Sequence, residues 1–240
     1  MAWTTRCGDG SPVGLNVCLP CICGNGWSAL LFDLTMHPLE ALRLRRRRRR
    51  LVRRATGRVL EVGTGTGVNL PFFGWDQIDE LTLVDLAFPP GVRRYGFPDG
   101  ITVRFCEQSV EELPFADNSF DSVVFSLLFC TVTDNRRGLA ELYRVLAPGG
   151  RVCFIEHVLP RHPLLRIPMR AANPLWRRFS NGCNLTRDTV LLLQEAGFAI
   201  EQLEHHAGGI LVSGTALKPA ADPPQWVCSV SGEHEDAATA

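Results

Sequence analysis

Three glycines occupy alternate positions in the segment VLEVGTGTGVNL, residues 59–70: Gly63, Gly65 and Gly67. The apolar run before them is typical of a buried strand. Glycine adopts positive φ angles without a steric penalty and lets a ligand approach the backbone, while amides at the start of a following helix can donate hydrogen bonds to it. The segment therefore predicts a loop that binds a nucleotide-like ligand.

A carboxylate stands at the end of the next apolar run, where Asp85 closes ELTLVDL. The carboxyl ends of parallel strands form the edge of the sheet at which ligands bind, and a carboxylate there can accept hydrogen bonds from both hydroxyls of a ribose. A nicotinamide-binding loop has Gly or Ala where this chain has Val68. The pattern therefore disfavours a nicotinamide oxidoreductase and favours another adenosine-containing ligand.

Two polar residues, Glu156 and His157, close the fifth apolar run, GRVCFIEHV. They would lie at the same edge of the sheet, where an imidazole can act as a general base. A lone histidine is more often a hydrogen-bonded structural residue, so both interpretations of His157 stay open. Cys183 lies in a segment expected to cover the site, and a buried unreactive thiol is its simpler interpretation.

The chain has nine cysteines. Three of them fall in apolar, strand-like runs, where a thiol behaves as a small hydrophobic group: Cys106, Cys130 and Cys153. Four others lie near the start of the chain: Cys7, Cys18, Cys21 and Cys23. Their CxxCxC spacing could hold a metal, but zinc needs four ligands and no second pair follows. We therefore predict no metal site and an intracellular, reducing location.

From residue 58 onward, short apolar runs alternate with amphipathic stretches. Seven runs are predicted as strands: RVLEVG, ELTLVDL, ITVRFCEQ, FDSVVFSLLF, GRVCFIEHV, AIEQLEHH and GILVSGTALK. NRRGLAELYRVLAPGG and TRDTVLLLQEAGF are predicted as helices, the second capped by Thr186. The pattern indicates a doubly wound α/β fold with a seven-stranded sheet, parallel except for a C-terminal antiparallel hairpin strand.

The composition divides the chain into four parts. Residues 1–27 form a leader rich in Cys, Gly and Pro, and residues 219–240 form an acidic tail; both are predicted to be disordered. Residues 28–57 are predicted as a helical segment that covers the site, and residues 58–218 as the ligand-binding domain.

Nine arginines and no acidic residue lie between Arg43 and Arg54, although the formal net charge of the chain is zero. This part is predicted as a helix in which the methylenes of Arg48 cover apolar surface while its guanidinium stays in water. A solvated surface is the simplest interpretation of the run. Attraction to an anionic membrane is the stronger alternative and nucleic acid the weaker one. No apolar run is long enough to span a bilayer, so we predict a cytoplasmic or peripherally membrane-associated protein.

Four segments, in this order, resemble the class I S-adenosylmethionine-dependent methyltransferases: LEVGTGTG, VD at residues 84–85, EELPFADNSFDSVV and RVLAPGGRVCFIEHV. The resemblance covers roughly residues 28–218, and four motifs together are more specific than the glycines alone. The segments EHV and NGCNLTRDT are similar to the branch that includes animal thiol methyltransferases and bacterial relatives labelled phospholipid or quinone methyltransferases.

The resemblance implies that S-adenosylmethionine is the cofactor. Its methionine and ribose portion would lie along Gly63, Gly65 and Gly67. Glu61 would anchor the loop and the methionine amino group, and Asp85 would hold the ribose.

Five further positions are compared with the family through the resemblance. Ser109 and Val110 stand beside the adenine, where the family often has Asp and Ala, so Ser109 would offer a hydrogen bond without charge. Ser126 and Leu127, just past the fourth strand, would meet the methionine end. Phe32 stands where relatives often have Tyr.

The segment SLLFC after the fourth strand is apolar, whereas enzymes that methylate amino groups of nucleobases or glutamine commonly place Asn or Asp, two prolines and an aromatic residue there. We therefore expect a small lipophilic acceptor, with a thiol favoured, and His157 as the base. Residues 28–54 and 159–184 would form the lid. A phospholipid or quinone methyltransferase and a non-catalytic S-adenosylmethionine-binding regulatory protein stay open as alternatives, and the oligomeric state is not predicted.

Overall fold

The computed structural model describes residues 44–160, 162–180 and 182–220. Predictions that concern the leader, the first part of the arginine-rich helix, Phe32, the N-terminal cysteines and residues 221–240 of the tail lie outside the described residues.

Seven strands form one sheet. They are β1 (Gly57–Val62), β2 (Ile78–Asp85), β3 (Thr102–Glu107), β4 (Phe120–Ser126), β5 (Leu146–His157), β6 (Ala199–His206) and β7 (Leu211–Leu217). Their order is β3-β2-β1-β4-β5-β7-β6. Strands β1 to β5 pair in parallel, and β7 pairs antiparallel with both β5 and β6. The predicted fold class is confirmed.

The order of the strands reverses between β1 and β4, because the chain runs outward from β1 to β3 and then returns to the other side of β1. Val62 pairs with Val84 on one side and with Phe125 on the other. The residues that follow these three therefore meet at one edge of the sheet. In open parallel sheets this is the position at which ligands bind.

The helices are α1 (Arg45–Val52), α2 (Pro90–Arg93), α3 (Asn135–Val145), α4 (Pro163–Phe179) and α5 (Thr189–Glu195). Short 3-10 turns span Leu70–Phe72, Trp75–Gln77 and Ala207–Gly209. Apolar side chains of the sheet pack against α3 and α5 on one face and against α1 on the other. Both faces of the central strands are covered, which explains why these strands are apolar on both sides.

Two details of the predicted helices are wrong. The cap of α5 is Asp188, whose carboxylate accepts a hydrogen bond from the Leu191 amide at 3.1 Å, whereas the Thr186 hydroxyl donates to Asn184. The glycine loop is followed by the 3-10 turn Leu70–Phe72 and not by an α-helix. Pro71 lies inside this turn and has no amide to donate. The amides that face a ligand therefore belong to the loop itself.

None of the helices in the described ranges is long and apolar enough to cross a membrane.

Candidate functional site

The three glycines of the loop after β1 have different surroundings, although all three have positive φ angles, of 69°, 55° and 79°. A Cβ atom on Gly63 would lie 2.7 Å from Leu128, and one on Gly67 would lie 2.9 Å from Leu70. A Cβ atom on Gly65 would meet only the Gly63 carbonyl oxygen, at 4.0 Å. Packing therefore fixes Gly63 and Gly67, and Gly65 is the position at which the backbone is open to a ligand.

Asp85 ties the end of β2 to this loop. One carboxylate oxygen accepts a hydrogen bond from the Gly65 amide at 2.7 Å, and the other accepts from the Leu86 amide at 2.7 Å. Each oxygen of a carboxylate has a further lone pair. Asp85 can therefore hold the loop in place and still accept a hydrogen bond from a ligand.

A buried chain of polar groups lies under the loop. The Arg48 guanidinium donates to Asn69 Oδ1 at 2.5 Å, and Asn69 Nδ2 donates to Glu61 Oε1 at 2.7 Å. Thr64 Oγ1 donates to the other Glu61 oxygen at 3.5 Å. Burial raises the pKa of Glu61 to about 7, against the opposing effects of the Asn69 hydrogen bond and the Arg48 charge. Glu61 thus holds two residues of the loop, Thr64 and Asn69, while its contact with the methionine amino group stays a prediction.

Arg48 corrects one prediction from the sequence. Its side chain was expected to keep its charged group in water, but the residue is 2% exposed and its guanidinium points inward to Asn69. The physical reason is the buried acid at Glu61, because a buried carboxylate favours a positive charge nearby. Arg48 is a site residue that was not predicted from the sequence, because it lies in a run of identical residues.

The end of β4 reaches the same edge of the sheet. Ser126 is the last residue of the strand and not, as predicted, just past it; its hydroxyl donates to Asn69 Oδ1 at 3.4 Å. Leu127 has a φ of 54°, which is uncommon for a residue with a side chain, and its amide donates to the Ile155 carbonyl at 2.7 Å. Strained backbone of this kind concentrates at functional sites.

The two residues expected beside the adenine have other contacts as well. The Ser109 hydroxyl accepts a hydrogen bond from the Glu111 amide at 3.2 Å. The Val110 side chain is 6% exposed and lies in the core with Phe129. The contact of Ser109 and Val110 with adenine stays a prediction, and for Val110 it would involve the backbone.

Glu156 is buried at the end of β5. One carboxylate oxygen accepts hydrogen bonds from the Leu128 and Phe129 amides at 2.7 and 2.9 Å. The other, Oε2, is buried and has no hydrogen-bond partner among the described residues. Burial raises the pKa of Glu156 to about 7.

Beside Glu156, the fold brings together Cys130, His157 and Cys183, all three buried. One ligand atom of each lies within 4.8 Å of the other two, and His157 Nδ1 is 3.9 Å from Cys183 Sγ. A hydrogen bond between the two thiols, with the Cys183 sulfur as acceptor, lowers the pKa of Cys183 and raises that of Cys130. The interpretation of Cys130 as a small hydrophobic group and of Cys183 as an unreactive thiol is therefore incomplete.

The segment NGCNLTRDT holds this cluster in position. The Asn184 amide donates to the Cys130 carbonyl at 2.8 Å, and the Arg187 guanidinium donates to the Phe129 carbonyl at 2.6 Å. These bonds fasten the segment after α4 to the loop after β4. The three cluster residues come from separate parts of the chain, so no local spacing could have indicated them.

The site fits an adenosine-containing cofactor by two tests. The open backbone at Gly65 leaves room for a ligand, and the donor set beside it combines a carboxylate at Asp85 with loop amides. On the far side of β1, the apolar end of β4 and the cluster around His157 lie at the same edge of the sheet.

Comparison with known proteins agrees with this geometry. Residues 60–154 match the family model described as methyltransferase domain. The chain is 34% identical over 155 residues to rat thiol S-methyltransferase TMT1B, a match that covers 61% of this chain and 62% of the relative. It is 38% identical over 124 residues to the demethylmenaquinone methyltransferase of Thermus thermophilus, covering 50% and 56%. The chain thus spans less than two thirds of the length of these relatives.

Solved structures share the fold. The S-adenosylmethionine dependent methyltransferase of Mesorhizobium loti superposes with a TM-score of 0.55 at 20% identity, covering 71% of this chain and 95% of that one. The [4+2]-cyclase SpnF gives a TM-score of 0.56 at 20% identity, covering 73% and 81%. Because a cyclase shares the architecture, the fold by itself leaves the reaction open.

Proposed function

We propose that this chain, whose residues 60–154 match a methyltransferase domain, is a class I S-adenosylmethionine-dependent methyltransferase that methylates a small lipophilic acceptor, with a thiol favoured. The observation that carries the proposal is the arrangement at one edge of the sheet. The open backbone at Gly65 lies at the end of β1, the apolar residues after β4 come next, and the buried His157 ends β5. Cofactor loop, apolar wall and polar group thus follow one another along this edge.

The family match and the named relatives support the predicted enzyme class and, with it, S-adenosylmethionine as the cofactor. When bound, the cofactor supplies a methyl group that is already activated by its sulfonium. The residues that would hold it are Gly65 and Asp85 at the loop, with Glu61 fixed underneath by Asn69. The chain then has to align the acceptor and exclude water.

The apolar surroundings support a lipophilic acceptor. Leu128 packs against the glycine loop, and Phe129 is fully buried beside it. Helix α4 carries large exposed apolar side chains: Leu164, Leu165, Ile167, Leu175 and Trp176. A helix of this kind, joined directly to the segment that holds Cys183, is suited to cover an apolar ligand. We therefore propose α4 as part of the lid.

The favoured acceptor is a thiol for two reasons. The rat relative named a thiol S-methyltransferase is 34% identical to this chain. A thiol also needs little assistance, because its ordinary pKa of about 8.5 lies close to neutral pH. The buried imidazole of His157 is proposed as the group that accepts its proton.

A second candidate, methylation of a quinone ring carbon, is favoured by one observation, the 38% identity to the demethylmenaquinone methyltransferase of Thermus thermophilus. A carbon acid is harder to deprotonate than a thiol and depends more strongly on a base.

The test is release of S-adenosylhomocysteine by the purified chain in the presence of small aromatic or alkyl thiols, demethylated quinones and phosphatidylethanolamine. We expect turnover with thiols and none in the matched Gly65→Arg variant. Turnover with a quinone but no thiol would support the second candidate. Cofactor binding without release for any acceptor would support a non-catalytic S-adenosylmethionine-binding protein.

A further inference from the structure

The proposed methyl transfer uses only His157 of the cluster formed by Cys130, His157 and Cys183, and it gives no role to the two thiols. Two thiols and an imidazole, all buried, converge from the loop after β4, the end of β5 and the segment after α4. Thiolate and imidazole are the ligands that zinc prefers, and zinc sites with three protein ligands keep a fourth position for another molecule. We propose that these three residues bind a zinc ion with one open coordination position that accepts a thiolate.

The distances are close to those of a zinc site. With metal–ligand bonds of about 2.3 Å to sulfur and 2.0 Å to nitrogen, tetrahedral ligand atoms are separated by roughly 3.5 to 3.8 Å. His157 Nδ1 and Cys183 Sγ are already 3.9 Å apart, and all three ligand atoms lie within 4.8 Å of one another. A contraction of at most about 1.3 Å, within reach of side-chain rotation, brings all three around one ion.

Glu156 provides an independent observation. Its Oε2 atom is completely buried without a hydrogen-bond partner among the described residues, while Oε1 is held by two backbone amides. His157 follows Glu156 directly in β5, and the two amides that bind Oε1 belong to the residues directly before Cys130. Such unpaired acceptors are rare in folded proteins and ask for an explanation. A cation next to the carboxylate supplies one, because outer carboxylates commonly accompany the histidine ligands of zinc.

The backbone around the cluster holds the ligands before any ion arrives. The Asn184 amide binds the Cys130 carbonyl, and Arg187 binds the Phe129 carbonyl, so the two thiol-bearing loops are fastened to each other. Two ligand-bearing segments that are already joined lose little conformational freedom when the metal binds.

The zinc site would deepen the proposed function and, for the class of acceptor, it rests on that proposal. An acceptor thiol that binds the open position forms a zinc–sulfur bond and releases its S–H proton to water, so no base in the protein is needed. His157 then acts as a metal ligand, and its role as proton acceptor applies only to the metal-free chain. Binding of the metal itself can be tested without any methyl transfer.

The test is metal binding by the purified full chain, kept reduced with a phosphine so that no added thiol competes and no disulfide joins Cys130 to Cys183. Because the N-terminal cysteines could hold a metal of their own, the reference protein carries C7S, C18S, C21S and C23S. We expect this protein to bind one equivalent of zinc. With cobalt(II) in place of zinc, it should show the thiolate-to-cobalt charge-transfer band and the strong visible absorption of a tetrahedral site.

The Cys183→Ser variant in the same background should show a weaker charge-transfer band, because only the Cys130 thiolate remains, and should bind zinc at least tenfold more weakly. The matched control is Cys153→Ala, which removes a buried thiol of β5 outside the cluster and should keep the metal. Far-ultraviolet circular dichroism of each variant establishes that it is folded. His157→Gln is the second ligand variant, should Cys183→Ser fail to fold.

Two results would overturn the inference: no stoichiometric zinc in the reference protein, or equal zinc affinity in the folded Cys183→Ser and Cys153→Ala variants. The open fourth coordination position of the metal is tested separately. Addition of benzenethiol to the cobalt-loaded reference protein, without S-adenosylmethionine, should change the visible spectrum, and an unchanged spectrum would refute an open position. Neither result depends on whether the chain methylates thiols, so failure of the proposed function remains distinguishable.

Discussion

Gly65 in the loop after β1 and Asp85 at the end of β2 are the two residues on which cofactor binding should depend most directly. Gly65 has open space where a side chain would begin, and its amide is held by the Asp85 carboxylate. Gly63 and Gly67 instead lie against leucine side chains, so substitutions there would disturb folding as well as binding. The open glycine is therefore the position that separates the two effects.

Gly65→Arg should abolish binding of S-adenosylmethionine, because the side chain fills the space beside the backbone. The positive φ adds a strain of about 1 kcal/mol, so the protein should remain folded. Asp85→Ala should weaken binding by about 1 to 3 kcal/mol through loss of a charge-assisted hydrogen bond and of the Gly65 anchor. Titration calorimetry measures both, with NADH as a ligand that should not bind. Tight NADH binding would contradict the assignment of the cofactor.

The raised pKa of Glu61 predicts a pH-dependent stability. The carboxyl group binds its proton more tightly in the folded chain, with a pKa of about 7 against an ordinary 4.5. The contribution of this group to the free energy of unfolding is therefore largest below about pH 4.5 and is lost as the pH rises through about 7. Glu61→Gln removes the titration. As the pH rises from about 4.5 to above 7, the free energy of unfolding of the variant should therefore increase by on the order of 3 kcal/mol relative to that of wild type.

Urea unfolding of the metal-free proteins across this range measures that difference. Glu112→Gln, at a side chain that is 79% exposed, is the control and should follow wild type. A constant difference between Glu61→Gln and wild type at every pH would show that the carboxyl group does not titrate in this range. Arg48 and Asp85, whose charges act on Glu61, are unchanged in both wild type and Glu61→Gln, so the difference between these two proteins reports on Glu61.

His157→Ala tests the proton acceptor in the metal-free chain. Turnover with a thiol should fall by roughly 10²-fold at neutral pH and recover partly at higher pH, where the thiolate forms without assistance. Cofactor affinity should stay nearly unchanged. His205→Ala, at an exposed histidine of β6, is the matched control. A pH profile identical to that of wild type would make His157 a structural residue.

At the scale of elements, α1 divides its arginines between two environments. Arg48 faces inward to Asn69, while Arg45, Arg46, Arg49 and Arg50 are exposed. The first turn of this helix contains no acid. The helix thus presents a dense positive surface on one side and contributes to the site on the other, so its charge and its role in the site can be changed separately.

If this surface meets an anionic membrane, co-sedimentation with vesicles should increase with the fraction of acidic lipid and decrease with salt, because charges are screened over about 10 Å at 0.1 M. Changing the four exposed arginines Arg45, Arg46, Arg49 and Arg50 to Gln should abolish it. The control changes four exposed arginines elsewhere, with the same change in charge: Arg94, Arg104, Arg136 and Arg137. Equal loss in both variants would indicate that only net charge matters.

At the scale of the whole molecule, the loop after β1, the loop after β4 and the end of β5 belong to one edge of one sheet. A ligand that contacts all three links elements from both sides of the point where the strand order reverses. Cofactor binding should therefore stabilise the whole domain. At a concentration one hundred times the dissociation constant the gain is about 2.7 kcal/mol, which corresponds to several degrees in melting temperature.

Thermal unfolding with and without S-adenosylmethionine measures this gain. Gly65→Arg should show no shift in melting temperature with the cofactor, while Cys153→Ala, a substitution on β5 away from the loop, should keep the shift. An equal shift in wild type and Gly65→Arg would place the cofactor elsewhere.

The sequence by itself determined the seven strands, their mixed orientation and the position of the glycine loop. Apolar runs mark strands wherever they occur, and a parallel sheet brings the ends of its strands to one edge. Gly65, Asp85 and Glu61 follow from this rule, because each lies at or next to the end of a strand.

The tertiary structure alone decided which distant residues meet. In the sequence, nothing distinguishes Arg48 from the other arginines of the run. In the folded chain, α1 packs over the loop and the Arg48 guanidinium contacts Asn69, 21 residues away. Cys130, His157 and Cys183 come from three segments and become one cluster only through the bonds of Asn184 and Arg187. Local patterns depend on neighbours along the chain, whereas these contacts depend on how separate elements pack.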